Sequence, residues 1–361
     1  MPLVHHADVD KLDGLAARAC DLCHKKDGLL RCSACQAVYY CGRECQARDR
    51  ADHKMSCKVI KKARLRYELE EKLLRDKPSY MFPGKMFEDY VGRFWGIVET
   101  RPYMRARYGL VDSMLVMYGS AGGPVDVVQT ALDHLSDMMR LCRGDNMGLR
   151  DMIPALYIRL GRDQHAYDFM KWYATTGMDR HYDWGDMKQP FLDVKDADVL
   201  EAPAESWTDN RFPDLSHAVA AVLIKVRVLL DLQAVQNARM ALRGVALPEI
   251  IEAICGQLVG PILRTRPEIL LAKPQETAQL AEKIKSQVRE VYRAVEKYNP
   301  YFWDLLVNDP DAGVLQRPTE SYSHRTRDEA LLVLGFSYAA WYETPRAVNV
   351  LRTLSKAFRG P

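Results

Sequence analysis

Apolar positions along most of this chain recur at helical spacing. From Gln275 to Tyr298, the residues Leu280, Ile284, Val288, Val291, Val295 and Tyr298 follow one another at steps of four and three. Lys, Glu and Arg fill the positions between them, which is the stripe of an amphipathic helix. The run from Ala218 to Leu232 is apolar nearly all round, broken only by Lys225, Arg227 and Asp231. Those charges exclude a membrane span, which needs roughly 20 nearly uncharged residues, so the run predicts a buried helix. Gly122-Gly123-Pro124, Gly144-Asp145-Asn146 and Thr176-Gly177 punctuate the pattern and bound helices expected near 125–142, 147–160 and 163–175. Thr344-Pro345 reads as the N-cap and first residue of the last helix. Alternating β-branched runs are nearly absent. The expected fold is mainly α, built of helical hairpins joined by short loops.

The first sixty residues break this pattern. Seven of the nine cysteines lie between Cys20 and Cys57, and only Cys142 and Cys255 fall elsewhere. With one histidine they form the series Cys20-x2-Cys23-x8-Cys32-x2-Cys35-x5-Cys41-x3-Cys45-x7-His53-x3-Cys57. Zn²⁺ takes four sulfur or nitrogen ligands tetrahedrally, so eight ligands make two closed structural sites. Cys-x2-Cys suits a tight turn that aims both sulfurs at one ion. Cys-x3-Cys and His-x3-Cys place both ligands on one helix face, so helices are expected around Cys41–Cys45 and His53–Cys57. Spacing alone leaves two pairings open, cross-braced or sequential.

The series resembles the MYND zinc finger, including the pair Tyr39-Tyr40 before Cys41 and the run His53-Lys54-Met55-Ser56-Cys57. The resemblance implies a cross-braced finger, with one zinc on Cys20, Cys23, Cys41 and Cys45 and the other on Cys32, Cys35, His53 and Cys57. It also implies recognition of short proline-containing peptides in a shallow groove. The family carries Trp three residues before the ligand His, and this chain has Arg50 there. Arg50 is thus the candidate peptide-binding residue, and with Arg43, Arg48 and Lys54 it favours peptides carrying Asp or Glu. The bland alternative is an Arg50 that pairs with Asp49 or Asp52 on its own helix.

Beyond the finger, Arg159 to Trp172, with Tyr182-Asp-Trp-Gly-Asp and the stretch from Phe191, is similar to a fungal group of MYND-finger proteins. Asn299 to Leu351 is weakly similar to the end of the tetratricopeptide-like suppressor of tumorigenicity seven family. Leu156 to Met170 carries the Leu-Gly…Ala pattern of a tetratricopeptide hairpin, and Tyr338 to Leu351 a comparable one. These readings divide the chain into an N-terminal extension (1–15), a finger (16–60), a charged helical linker (61–77) and a tetratricopeptide-like helical domain (78–361). The last has enough apolar sequence to be expected to fold without the finger.

Composition and charge narrow the function. The chain has 361 residues, 48% hydrophobic, with net charge +3, so nothing suggests the strongly basic surface of a nucleic-acid binder. The basic run Lys58, Lys61, Lys62, Arg64 and Arg66 continues into Glu68 and Glu70 and reads as a solvated helix face. The start has no apolar segment of signal-peptide length, and clustered thiols fit a reducing compartment, so cytoplasm or nucleus is expected. The acidic stretch 179–201 lacks the spacing of an EF-hand and reads as capping and solvated loop. Phe169, Trp172 and Tyr173 read as core. A SET-and-MYND lysine methyltransferase would add a β-rich domain with an Asn-His segment, and no Asn-His dipeptide occurs. Gly119 to Pro124 lacks the Lys of a phosphate loop, and His134, His165, His181, His217 and His324 stand apart from one another. The expectation is a non-catalytic interaction protein with two Zn²⁺ and a protein or peptide partner, the alternative being a divergent protein-modifying enzyme.

Overall fold

The computed structural model describes residues 14–76, 81–209, 213–241, 248–318 and 322–359. Its chain divides into two units. The first holds residues 15–156 and 183–191, and the second residues 157–182 and 192 onward.

In the first unit, β1 (Leu30–Arg31) and β2 (Tyr39–Tyr40) form an antiparallel ladder, Leu30 opposite Tyr40. It is the single sheet among the described residues. Helices α1 (Arg43–Arg48) and α2 (Arg50–Asp76) follow, then α3 (Met86–Asp89), α4 (Arg101–Tyr118) and α5 (Val125–Leu141). Helix α2 continues without a break from His53 to Asp76. Its inner face joins a core in which Val38, Tyr40, Cys57 and Ile60 meet Leu110 and Met114 of α4 and Val127 of α5. The finger and these helices therefore share one apolar interior. The Gly-rich loop before α5 is tied to the chain just ahead of the finger: Ala16 N–H donates to the Gly123 carbonyl, and Val125 N–H to that of Ala16. A Cβ on Gly123 would lie 2.2 Å from the Tyr118 carbonyl oxygen, so only glycine fits there.

The helix expected at 147–160 is divided. Asp145 accepts the N–H groups of Leu149 and Arg150 and sets a 3₁₀ turn over Leu149–Asp151, and α6 (Ile153–Arg159) follows. Pro154 explains the break, because in a continuous helix its ring would clash with the carbonyl of Arg150.

The second unit contains α7 (Asp163–Ala174), α8 (Glu205–Thr208), α9 (Leu215–Ala241), α10 (Pro248–Gln257), α11 (Pro267–Leu271), α12 (Pro274–Tyr298), α13 (Phe302–Asn308), α14 (Ala312–Leu315), α15 (Arg327–Tyr342) and α16 (Ala347–Arg359). From Leu215 to Leu232 helix α9 is buried around its whole circumference, as the sequence predicts for Ala218 to Leu232, and α12 lies along it with Ile284, Val288, Val291 and Val295 inward. Each charge within α9 has partners. Lys225 donates to the Val199 and Glu201 carbonyls and to Gln287. Arg227 meets Asp163, and Asp231 accepts the N–H groups of Val259 and Gly260.

Helix α7 supplies Phe169, Trp172 and Tyr173 to the core, as expected. Arg162 N–H bonds the Tyr157 carbonyl across a turn at Leu160-Gly161, where Gly161 takes φ 67°. The last helix starts later than its sequence suggests. Thr344 does not cap it: the hydroxyl donates to the Ala340 carbonyl and accepts from buried Arg227, and α16 begins at Ala347. A buried guanidinium needs every acceptor within reach, and that demand outweighs the cap.

The acidic stretch consists largely of side chains bonding nearby backbone. Asp179, Asp183, Asp186 and Asp198 each accept the N–H two residues on, and Asp193 accepts the Trp172 indole. No described helix is long and apolar enough to cross a membrane.

Candidate metal centres

The two Cys-x2-Cys segments fold into the same turn. His24 N–H donates to the Cys20 carbonyl and Gln36 N–H to that of Cys32, each at 2.9 Å. His24 and Gln36 take φ 59° and 57°, the left-handed residue that reverses the chain after the second sulfur. His53 and Cys57 lie one turn apart on α2, as the spacing predicts. Cys41 departs from the expectation. It lies before α1, separated from it by extended Gly42, and only Cys45 of that pair is helical.

The eight side chains gather into two groups: Cys20, Cys23, Cys41 and Cys45, and Cys32, Cys35, His53 and Cys57. This is the cross-braced arrangement. Cys41 Sγ is 3.5 Å from the sulfurs of both Cys23 and Cys45, and Cys32 Sγ is 3.9 Å from that of Cys57. His53 Nε2 lies 3.4 Å from the Cys32 sulfur and 3.7 Å from that of Cys35. A tetrahedron with Zn–S of about 2.3 Å and Zn–N of about 2.05 Å has sulfur–sulfur edges of about 3.8 Å and sulfur–nitrogen edges of about 3.6 Å. The groups match those edges, far beyond the roughly 2.05 Å of a disulfide. The donor sets therefore fit two zinc ions.

Electrostatics agree. Burial works against the Cys20 thiolate, but N–H groups of Cys23, Cys41 and Leu22 outweigh it and bring the thiol down to about 6. In the other group burial, with Cys32 and Cys57 alongside, pushes the Cys35 thiol up to about 12. Thiols so crowded cannot all ionise together until a divalent cation joins them. Burial keeps the His53 pKa below the usual range, leaving the neutral imidazole that ligation requires.

The two groups differ in exposure. All four residues of the His53 group are buried, whereas Cys23 is exposed and Cys41 and Cys45 partly so. Around the buried group stand residues that spacing did not reveal. The Tyr118 hydroxyl of α4 is 2.8 Å from His53 Nδ1, and Gln46 Nε2 donates to the Cys32 sulfur at 3.6 Å. Tyr40, from the aromatic pair noted in the sequence, packs edge-on against the His53 ring and donates its hydroxyl to Asp49. Tyr118 has no local signal, because it comes from another helix.

Arg50 opens α2 and is exposed, as are Arg43, Arg48 and Lys54. Among the described residues it makes no ion pair with Asp49 or Asp52. The histidines outside the finger occupy packing or surface positions. Burial and Arg107 lower the His134 pKa to about 4, and its neutral Nδ1 accepts from the Arg107 guanidinium. His217 packs against Phe169 and Tyr173, and exposed His324 meets Glu329.

Comparison with known proteins agrees with this geometry. Residues 20–57 match the zf-MYND family, the MYND finger. Histone-lysine N-methyltransferase ASHR1 of Arabidopsis thaliana is 46% identical over 41 residues, 11% of this chain and 8% of that protein. Histone-lysine N-methyltransferase SMYD3 of Homo sapiens is 43% identical over 49 residues, 13% of this chain and 11% of that protein. This chain thus spans about a tenth of the length of the relatives it matches. No solved structure matches. Residues 20–57 are a MYND finger, a module of protein–protein interaction, carrying the two zinc sites.

Proposed function

We propose that this chain is a non-catalytic, zinc-dependent interaction scaffold of regulatory assemblies in the cytoplasm or nucleus. Its finger captures an extended peptide that carries Asp or Glu beside proline. The observation that carries this reading is Arg50: exposed, without an ion pair among the described residues, and flanked by Arg43, Arg48 and Lys54. A guanidinium in that state holds a carboxylate through two parallel hydrogen bonds. Both residues of β1 are exposed, giving an extended peptide a strand edge on which to lie. Four protein ligands per zinc leave no position for a substrate, which supports a structural metal.

The alternative, an enzyme related to SET-and-MYND methyltransferases, draws on the names of the two relatives. Their similarity lies in the finger, and the little sheet among the described residues does not favour it. A peptide array tests the proposal. Wild type should prefer acidic proline peptides and lose them as salt is raised, since exposed charges are screened within about 10 Å at 0.1 M. Arg50→Glu should abolish that binding, and Arg50→Trp should shift it to neutral proline peptides. Identical ligands for wild type and Arg50→Glu would reject the proposal.

A further inference from the structure

The second unit contains a cavity of about 680 Å³, within the range of roughly 300–1,000 Å³ usual for small-molecule sites. Ile158, Leu230 and Ala340 give it an apolar lining, and four arginines, Arg159, Arg227, Arg264 and Arg346, line it as well. Two of these are balanced. The Arg159 guanidinium meets Glu343 through two hydrogen bonds at 2.9 and 2.7 Å. Arg227 spends its three nitrogens on Asp163, Thr344 and the Val259 carbonyl.

The other two are not. Arg264 and Arg346 are exposed and have no ion pair among the described residues. Arg264 donates to the Leu258 carbonyl, and the negative charge it senses is that of Asp163, which Arg227 already engages. The lining carries four arginines against one carboxylate, Glu343. With Asp163 and Asp231 beside it, the site still holds one positive charge more than negative, on the side where Arg264 and Arg346 meet solvent.

We propose that this cavity binds a small organic anion of the phosphate monoester class, its head held by Arg264 and Arg346 and its apolar body on Ile158, Leu230 and Ala340. A single carboxylate satisfies one guanidinium fork, whereas a phosphate dianion presents three oxygens and answers both. Inorganic phosphate has the charge but leaves the apolar lining uncovered. No residue of 20–57 lines the site, so its occupant need not be the finger's partner.

Calorimetry on the full, zinc-loaded chain tests the site, with phenyl phosphate and inorganic phosphate as probes. Phenyl phosphate should bind more tightly than inorganic phosphate. The pair Arg264→Gln and Arg346→Gln should weaken it about tenfold or more, the usual worth of charge-assisted hydrogen bonds. Both side chains are exposed, so folding should survive, and Arg346→Gln alone should give a smaller loss in the same direction. Arg264→Lys with Arg346→Lys should restore part of the affinity. No heat with phenyl phosphate, equal affinity for the two probes, or undiminished binding by the double Gln variant would overturn the assignment.

Discussion

His53 turns Nε2 toward the sulfurs of Cys32 and Cys35, while its Nδ1 lies 2.8 Å from the hydroxyl of Tyr118, 65 residues further along the chain. With Nε2 on zinc, Nδ1 carries the proton and donates to that hydroxyl. The bond fixes tautomer and ring orientation together and ties the metal to α4.

Tyr118→Phe keeps the ring and removes the hydroxyl that meets His53, along with its contact to Ser56. Loss of such an outer partner typically weakens metal binding about 10–100-fold. Chelator competition should show that loss at the His53 site and leave the four-sulfur site unchanged. Unchanged affinity at both sites would mean that Tyr118 fills space without orienting the ligand.

The difference in burial predicts an order of release. Cys23 is exposed and every ligand of the other site is buried. A chelator should strip the Cys20–Cys23–Cys41–Cys45 ion first, in a resolved fast phase. Cobalt-substituted protein reads this directly, because a four-sulfur and a three-sulfur, one-nitrogen site have different spectra. Release of both ions in one phase would contradict the inference from burial.

Sequence reading leads one to expect that the helices after Pro78 fold alone, and the structure attaches a cost to that truncation. Ile60 of α2 is fully buried in the core it shares with Leu110 and Met114 of α4. A chain beginning at Pro78 should therefore exchange its α4 and α5 amides faster than the full chain does. Ile60→Ala should cost about 2–5 kcal/mol in denaturant unfolding of the first unit. Full protection of α4 and α5 in the shortened chain would show that they do not depend on the finger.

What could be read beforehand follows from the range of each interaction. A tetrahedral ion needs ligands in close pairs, so all eight were legible from spacing, whereas the pairing of pairs is a property of the folded chain. The α12 stripe and the apolar α9 were legible because their burial repeats with helical period. Tyr118 was not, since its partner lies in another element. Nor was Thr344 legible as a partner of Arg227, 117 residues away, because a Thr-Pro step ahead of a helix looks like an ordinary cap.

Arg159 and Glu343, 184 residues apart, form a bidentate pair with both side chains almost wholly buried. Removing one partner strands the other charge, so Arg159→Ala or Glu343→Ala should cost about 3–5 kcal/mol. Arg159→Met with Glu343→Leu removes both charges and should recover most of that loss. Denaturant unfolding of the three variants checks this. A double variant no better than the singles would mean the pair's worth lies in packing.

The zinc content of freshly purified, thiol-protected protein tests the account at its centre, since both the shared core and the interaction surface depend on two filled sites. Native mass spectrometry of the intact chain should find two zinc ions per molecule. Cys20→Ser or Cys45→Ser should remove one ion, and Cys32→Ser or Cys57→Ser the other. A wild-type chain holding one zinc or none would contradict the assignment of Cys20, Cys23, Cys32, Cys35, Cys41, Cys45, His53 and Cys57 as two closed sites.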